Sequence, residues 1–258
     1  MSQNTELPIA VVDSGVGGIS VLRELLRIMP NENYVYYGDS KNAPYGQKTK
    51  SEVLEITKNN LKYLKGLGIK ALVIACNTAT SAAAETLRKE NPDLTIIGIE
   101  PAIKPAAMLG KRPRVVVMAT PLTLQEEKFR LLSERFAEQE EIIPLPCPGL
   151  VELIEADDKD GIEAYLEKLF APYAEQRIDA VVLGCTHYPH VRSAIARHIP
   201  KGAVILDGGE GTARHTYNRL SEQGLLSRSH QTGQIRIINT SNDPRLPFFC
   251  KQLLYKKG

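Results

Sequence analysis

Short β-branched runs alternate along the chain with longer stretches of helical period. The runs are IAVVD at 9–13, YVYYG at 34–38, ALVIA at 71–75, TIIG at 95–98, RVVVM at 114–118, IIP at 142–144, AVVLG at 180–184 and AVILD at 203–207. Most are apolar almost throughout, as expected of strands covered on both faces, and repeated strand-helix units predict a parallel α/β sheet. Between them, 51–67 carries Val53, Ile56, Leu61, Leu64 and Leu67 at helical spacings. The tail beyond residue 208 adds a predicted helix over 212–226 and a strand over 234–238.

A repeat emerges at a separation of about one hundred residues. ALVIACNT at 71–78 matches AVVLGCTH at 180–187, and IAVVDS at 9–14 parallels VVVMAT at 115–120, in the same order. Two similar parallel-sheet α/β domains, pseudo-symmetric to one another, are therefore expected. Four strands lie before residue 98 and four between 99 and 207, so the tail has to return to the first group. The expected division is 1–98 plus 208–258 for one domain and 99–207 for the other. Ligands of such sheets bind beyond the carboxyl ends of the strands, so two facing domains would share one cleft.

The overall composition narrows the class. With 43% hydrophobic and 24% charged residues, the chain has the composition of an ordinary globular protein. Its 32 basic and 30 acidic residues nearly cancel, which gives no general electrostatic attraction to nucleic acid or to an acidic membrane. The basic pair Lys256-Lys257 reads as a solvated end. MSQNTELP has neither the charge nor the apolar stretch of a secretory signal, and no apolar run reaches the length of a membrane helix. Cys76, Cys147, Cys185 and Cys250 are far apart and form no C-x-x-C pair. They indicate free thiols in the cytoplasm and not a disulfide framework.

Two of these cysteines stand out. Cys76 and Cys185 each close a run of the repeat and are followed by small polar residues: Asn77-Thr78 in one case, Thr186-His187 in the other. A helix starting there would offer unpaired backbone N–H groups to a thiolate or a carboxylate. Cys185, His187 and His190 are close in sequence but lack zinc-ligand spacing, so no metal is expected. The glycine loop at 13–20 carries Asp13 and Ser14 at a strand end. It fails the dinucleotide fingerprint because position 20 is Ser. A second polar loop, 38–46, brings Tyr45 and Gly46 to another strand end, while Glu152 and Glu155 lie one helical turn apart within 149–155.

Taken together, VVDSGVGG at 11–18, YYGDSKNAPYG at 36–46, ACNTATSAA at 75–83, GLVELIE at 149–155, LGCTHYP at 183–189 and LDGGEGTA at 206–213 resemble the glutamate racemases, cofactor-independent members of the aspartate/glutamate racemase superfamily. The likeness runs nearly the length of the chain. It departs at Gly211, where family members often carry Ala. The resemblance implies an active site in the cleft between two pseudo-symmetric α/β domains, with L- and D-glutamate interconverted without pyridoxal phosphate or any other cofactor. It implies Cys76 and Cys185 as the two acid/base residues, assisted by Asp13 beside Cys76 and by His187 with Glu152 beside Cys185. Asp13, Ser14, Tyr45, Gly46, Asn77, Thr78, Thr120, Thr186 and His187 would bind the substrate, with Cys147 and Cys250 as bystanders. A homodimer supplying D-glutamate for peptidoglycan is also implied. A racemase or decarboxylase of the same superfamily acting on another small acid such as aspartate is the alternative. A thiol-redox enzyme and a non-catalytic amino-acid-binding protein are the readings from other classes.

Overall fold

A computed structural model describes residues 4–125, 127–136, 138 and 140–255; Lys256-Lys257 lies outside them. The chain divides into two units, Met1–Glu100 with Gly209–Gly258, and Pro101–Gly208.

The first unit follows the predicted alternation: β1 (Ile9–Asp13), α1 (Ile19–Ile28), β2 (Tyr34–Gly38), α2 (Lys50–Gly66), β3 (Ala71–Ile74), α3 (Asn77–Glu90) and β4 (Thr95–Gly98). In the second unit come α4 (Ile103–Ala107), β5 (Arg114–Ala119), α5 (Pro121–Gln125), α6 (Glu127–Phe136), β6 (Glu141–Pro146), α7 (Leu150–Glu155), α8 (Lys159–Phe170), β7 (Ala180–Leu183), α9 (Arg192–His198) and β8 (Val204–Asp207). The tail contributes α10 (Gly209–Glu222), β9 (Ile235–Asn239) and α11 (Leu246–Tyr255) to the first unit.

Both sheets are wholly parallel, and the repeat is visible in their topology. The first runs β4-β3-β1-β2-β9 and the second β8-β7-β5-β6, so β1 to β4 and β5 to β8 occupy the same places. The tail strand β9 is what the second sheet lacks; it pairs with β2 from Tyr34↔Ile235 to Gly38↔Asn239. In the first unit, Ile9, Val11, Tyr36, Val73 and Ile97 meet Ile19, Leu22 and Leu25 of α1 and Leu253 and Leu254 of α11. In the second, Val116, Val181 and Leu183 meet Leu150, Leu166 and Ile195 from α7, α8 and α9. Helix α11 has no expected counterpart, because LPFFCKQLLY is apolar nearly all round and shows little helical period.

A buried ion pair fastens the returning tail at the amino ends of these strands. Lys70 Nζ donates to Glu32 Oε2 at 2.5 Å and also to the Thr5 carbonyl, while Glu32 Oε1 accepts from Ser227 N at 2.7 Å. Both charged side chains are almost fully enclosed.

Candidate active site

In the first unit the expected residues gather at the carboxyl ends of three adjacent strands, β3, β1 and β2. Asp13 closes β1 opposite Gly38, and Cys76 follows β3 on the other side, where Ala75 N donates to the Val12 carbonyl. Asp13 is buried, and its Oδ2 accepts from Gly18 N at 3.1 Å. The glycine loop can come this close only without a side chain at position 18. A Cβ there would lie 2.7 Å from that of Asp13 and 3.0 Å from that of Ala75. Ser14 is half-buried beside it.

Cys76 is the N-cap of α3, and its Sγ accepts from Ala79 N at 3.4 Å. A thiol in that position faces the positive end of fourteen aligned peptide units, which favours its anionic form. Asn77 and Thr78 form the first turn and are both buried. Asn77 Oδ1 has no hydrogen-bond partner among the described residues. An acceptor buried in this state costs about 1–3 kcal/mol, which a bound donor would relieve.

Tyr45 departs from expectation. Its hydroxyl does not point to a free ligand position: it donates to Asp39 Oδ2 at 2.7 Å and accepts from Asn60 Nδ2 at 3.1 Å. Burial, first, and then the Asp39 hydrogen bond push the phenol far above its usual range, with a smaller contribution from the nearby Cys76 charge. The Tyr45 carbonyl accepts from Lys48 N at 3.1 Å, and Gly46 is half-buried.

In the second unit the corresponding strand end is built differently. Cys185 follows β7 through Gly184, but a turn and a 3-10 segment, Tyr188–Val191, stand where a helix start was expected. The polar partner of this thiol is therefore a side chain. Cys185 Sγ lies 3.7 Å from His187 Nδ1, and His187 Nε2 lies 2.8 Å from Glu155 Oε1. Burial pushes the imidazole pKa down, but hydrogen bonds and charges from Cys185 and Glu155 outweigh it, leaving the pKa well above its ordinary value. Thr186 is buried beside them.

The carboxylate on His187 corrects the expectation for α7. Glu152 is exposed, and Glu155, one turn on and half-buried, meets the ring. The helix begins at Gly149, whose φ of 85° suits a residue without a side chain. Their spacing showed that two glutamates shared a face; which one reached His187 depends on how α7 approaches β7. Thr120, the repeat partner of Ser14, caps α5: its Oγ1 accepts from Thr123 N at 3.3 Å. Cys147 is buried with its thiol on the Leu145 carbonyl, and desolvation pushes its pKa up to about 12. Cys250 is enclosed in the first core. Among the described residues no cluster of His, Cys, Asp and Glu has metal-binding geometry, and no helix is long and apolar enough to cross a membrane.

The model of the Asp/Glu/hydantoin racemase family matches residues 9–216. A glutamate racemase of Clostridium perfringens is 49% identical over 96% of both chains. Among solved structures, a glutamate racemase isoform of Bacillus anthracis superposes with a TM-score of 0.88 at 28% identity, over 98% of this chain and 96% of the other. The glutamate racemase of Francisella tularensis, solved with D-glutamate, gives 0.84 at 26% identity over 98% and 95%.

Proposed function

The chain belongs to the Asp/Glu/hydantoin racemase family, among its glutamate racemases, and from that membership we propose that it interconverts L- and D-glutamate by proton transfer between Cys76 and Cys185. The observation that carries this reading is the placement of the two thiols. They follow β3 and β7, which hold equivalent places in two sheets of the same strand order, and each has its own group for stabilising a thiolate.

Inversion at a carbon by proton transfer needs a base on one face and an acid on the other, because a single base tends to return the proton to the face it came from. One thiolate takes the α-proton, and the electron pair left on the α-carbon delocalises into the α-carboxylate. The opposite thiol then gives its proton to the other face. The enzyme ends with its two sulfurs in exchanged protonation states, ready for the reverse reaction. Every proton is carried by a protein side chain, so the route calls on no cofactor.

A free thiol titrates near about 8.5, so each sulfur needs assistance at neutral pH. Cys76 has the amino end of α3, with Asp13 at the end of the adjacent β1 to assist proton transfer; Cys185 has the His187–Glu155 pair, whose imidazolium steadies a thiolate. Asn77 Oδ1 accepts from the substrate ammonium, and Thr78, Thr186 and the backbone of 45–46 complete the polar contacts. Ser14 and Thr120 line the site. Glu155 replaces Glu152 as the carboxylate acting through His187. On the same family membership the proposal extends to a cytoplasmic homodimer supplying D-glutamate for peptidoglycan.

Incubation with L-glutamate in heavy water tests the reaction. D-glutamate should accumulate with deuterium at its α-carbon, without added cofactor. Protein that leaves both enantiomers unchanged refutes the reaction, and faster turnover of L-aspartate refutes the choice of substrate. Cys76→Ala and Cys185→Ala should each abolish racemisation; full activity in either removes that residue from the mechanism.

A further inference from the structure

The loop carrying Tyr45 and Gly46 is held by a single buried carboxylate that the proposed chemistry does not use. Asp39 follows β2 and is 1% exposed. Four side chains donate to it: Asn42 Nδ2 to both oxygens at 3.0 Å, Tyr45 Oη at 2.7 Å, Asn60 Nδ2 at 3.1 Å and Thr240 Oγ1 at 2.9 Å. These donors come from the loop itself, from α2 and from the end of β9. Thr240 acts twice, since its Oγ1 also accepts from Lys41 N at 3.0 Å, and its own N–H donates to the Gly38 carbonyl. Next to it, Asn239 Nδ2 donates to Ser40 Oγ at 2.9 Å. Residues two hundred positions away in the chain thus fix the start of the segment, from Gly38 to Lys41, while Asp39 and Asn60 hold its end at Tyr45.

We infer that Asp39 is a positioning residue and Thr240 its latch: together they hold the backbone of Tyr45 and Gly46 at the height where the substrate is bound. The inference rests on the reading of this loop as part of the glutamate site. It follows from donor and acceptor counting. The Tyr45 hydroxyl is used up on Asp39 and Asn60, so it serves the site only by anchoring the backbone of 45–46. That backbone can move if the acceptor beneath it is lost. Carboxylate is the one side chain that can take donors from four directions in this space. An amide at position 39 would turn an N–H₂ group towards other donors.

The test compares Thr240→Val, which keeps the shape and removes the hydroxyl, with Thr240→Ser, which keeps the hydroxyl. Racemisation is followed from both enantiomers, alongside thermal melting. Thr240→Val should raise KM for glutamate by about tenfold and leave kcat within about threefold, as expected for loss of one hydrogen bond to a charged group that acts on binding alone. Thr240→Ser should stay within about twofold of wild type in both constants. Asp39→Asn should raise KM further in the same pattern. An unchanged KM in Thr240→Val, a loss confined to kcat, or a Thr240→Ser variant as impaired as Thr240→Val would each overturn the inference. Wild-type protein with no racemase activity would instead overturn the reading beneath it, so the two failures are distinct.

Discussion

Replacing Glu155 by Gln isolates the electrostatic half of the His187 arrangement, because the amide oxygen can still accept from Nε2 and hold the ring. The pair is 2.8 Å apart, with the Glu155 side chain 27% exposed and that of His187 3% exposed. Two unit charges about 4 Å apart are worth about 4 kcal/mol at an effective dielectric near 20. Water reaching Glu155 screens this to about 1–2 kcal/mol. The sign follows from the raised pKa of His187: wild-type imidazolium persists through neutrality, and the variant loses its proton at lower pH. The alkaline limb of kcat/KM should therefore move to lower pH, and kcat/KM at pH 8 should fall by up to about tenfold. The assay is a pH series of racemisation rates, with the His187 ring titrated directly by NMR. Glu152→Gln provides the control and should leave the profile in place. An unmoved profile in Glu155→Gln, or a loss carried by Glu152→Gln instead, would refute the assignment.

Two further outcomes test the fold. Lys70→Met strands the Glu32 carboxylate in the interior and should lower the stability of the first unit by about 3–5 kcal/mol in urea, most of it recovered when Glu32→Leu is added. Glu140, buried and without a hydrogen-bond partner among the described residues, has its pKa raised by desolvation to about 7. Between its unfolded value of 4.5 and about 7 the native state holds a proton that the unfolded chain has lost, so stability declines as pH rises through that window. Glu140→Gln should then gain up to about 3 kcal/mol at pH 8 and nothing near pH 4, as measured by denaturant midpoints; equal effects at both pH values would disprove the account.

The architecture was legible because parallel strands covered on both faces leave unbroken apolar runs: 9–13, 34–38 and 95–98 match β1, β2 and β4 end to end. The others shift by one or two residues, and β6 is longer because Glu141 and Pro146, outside its apolar centre, still pair with β5. Partners set by tertiary approach were not legible. The helix expected after Cys185 gives way to a 3-10 turn, and Glu155 rather than Glu152 meets His187. Asp39 sat in plain view inside a turn-forming loop, but its importance comes from Asn60 and Thr240, which no local pattern connects to it.

The division of the first unit into two chain segments sets an order of events during synthesis. Residues 101–208 form a contiguous unit and can close once they leave the ribosome, whereas the first hundred residues wait for the last fifty. Until β9 arrives, β2 is the open margin of its sheet, with a tyrosine-rich stretch ready to pair with any passing strand. A nascent or truncated chain ending before Ile235 would carry that margin permanently, and Asp39 without Thr240. Only a chain that includes β9 and Thr240 therefore has both a sealed sheet and a seated binding loop.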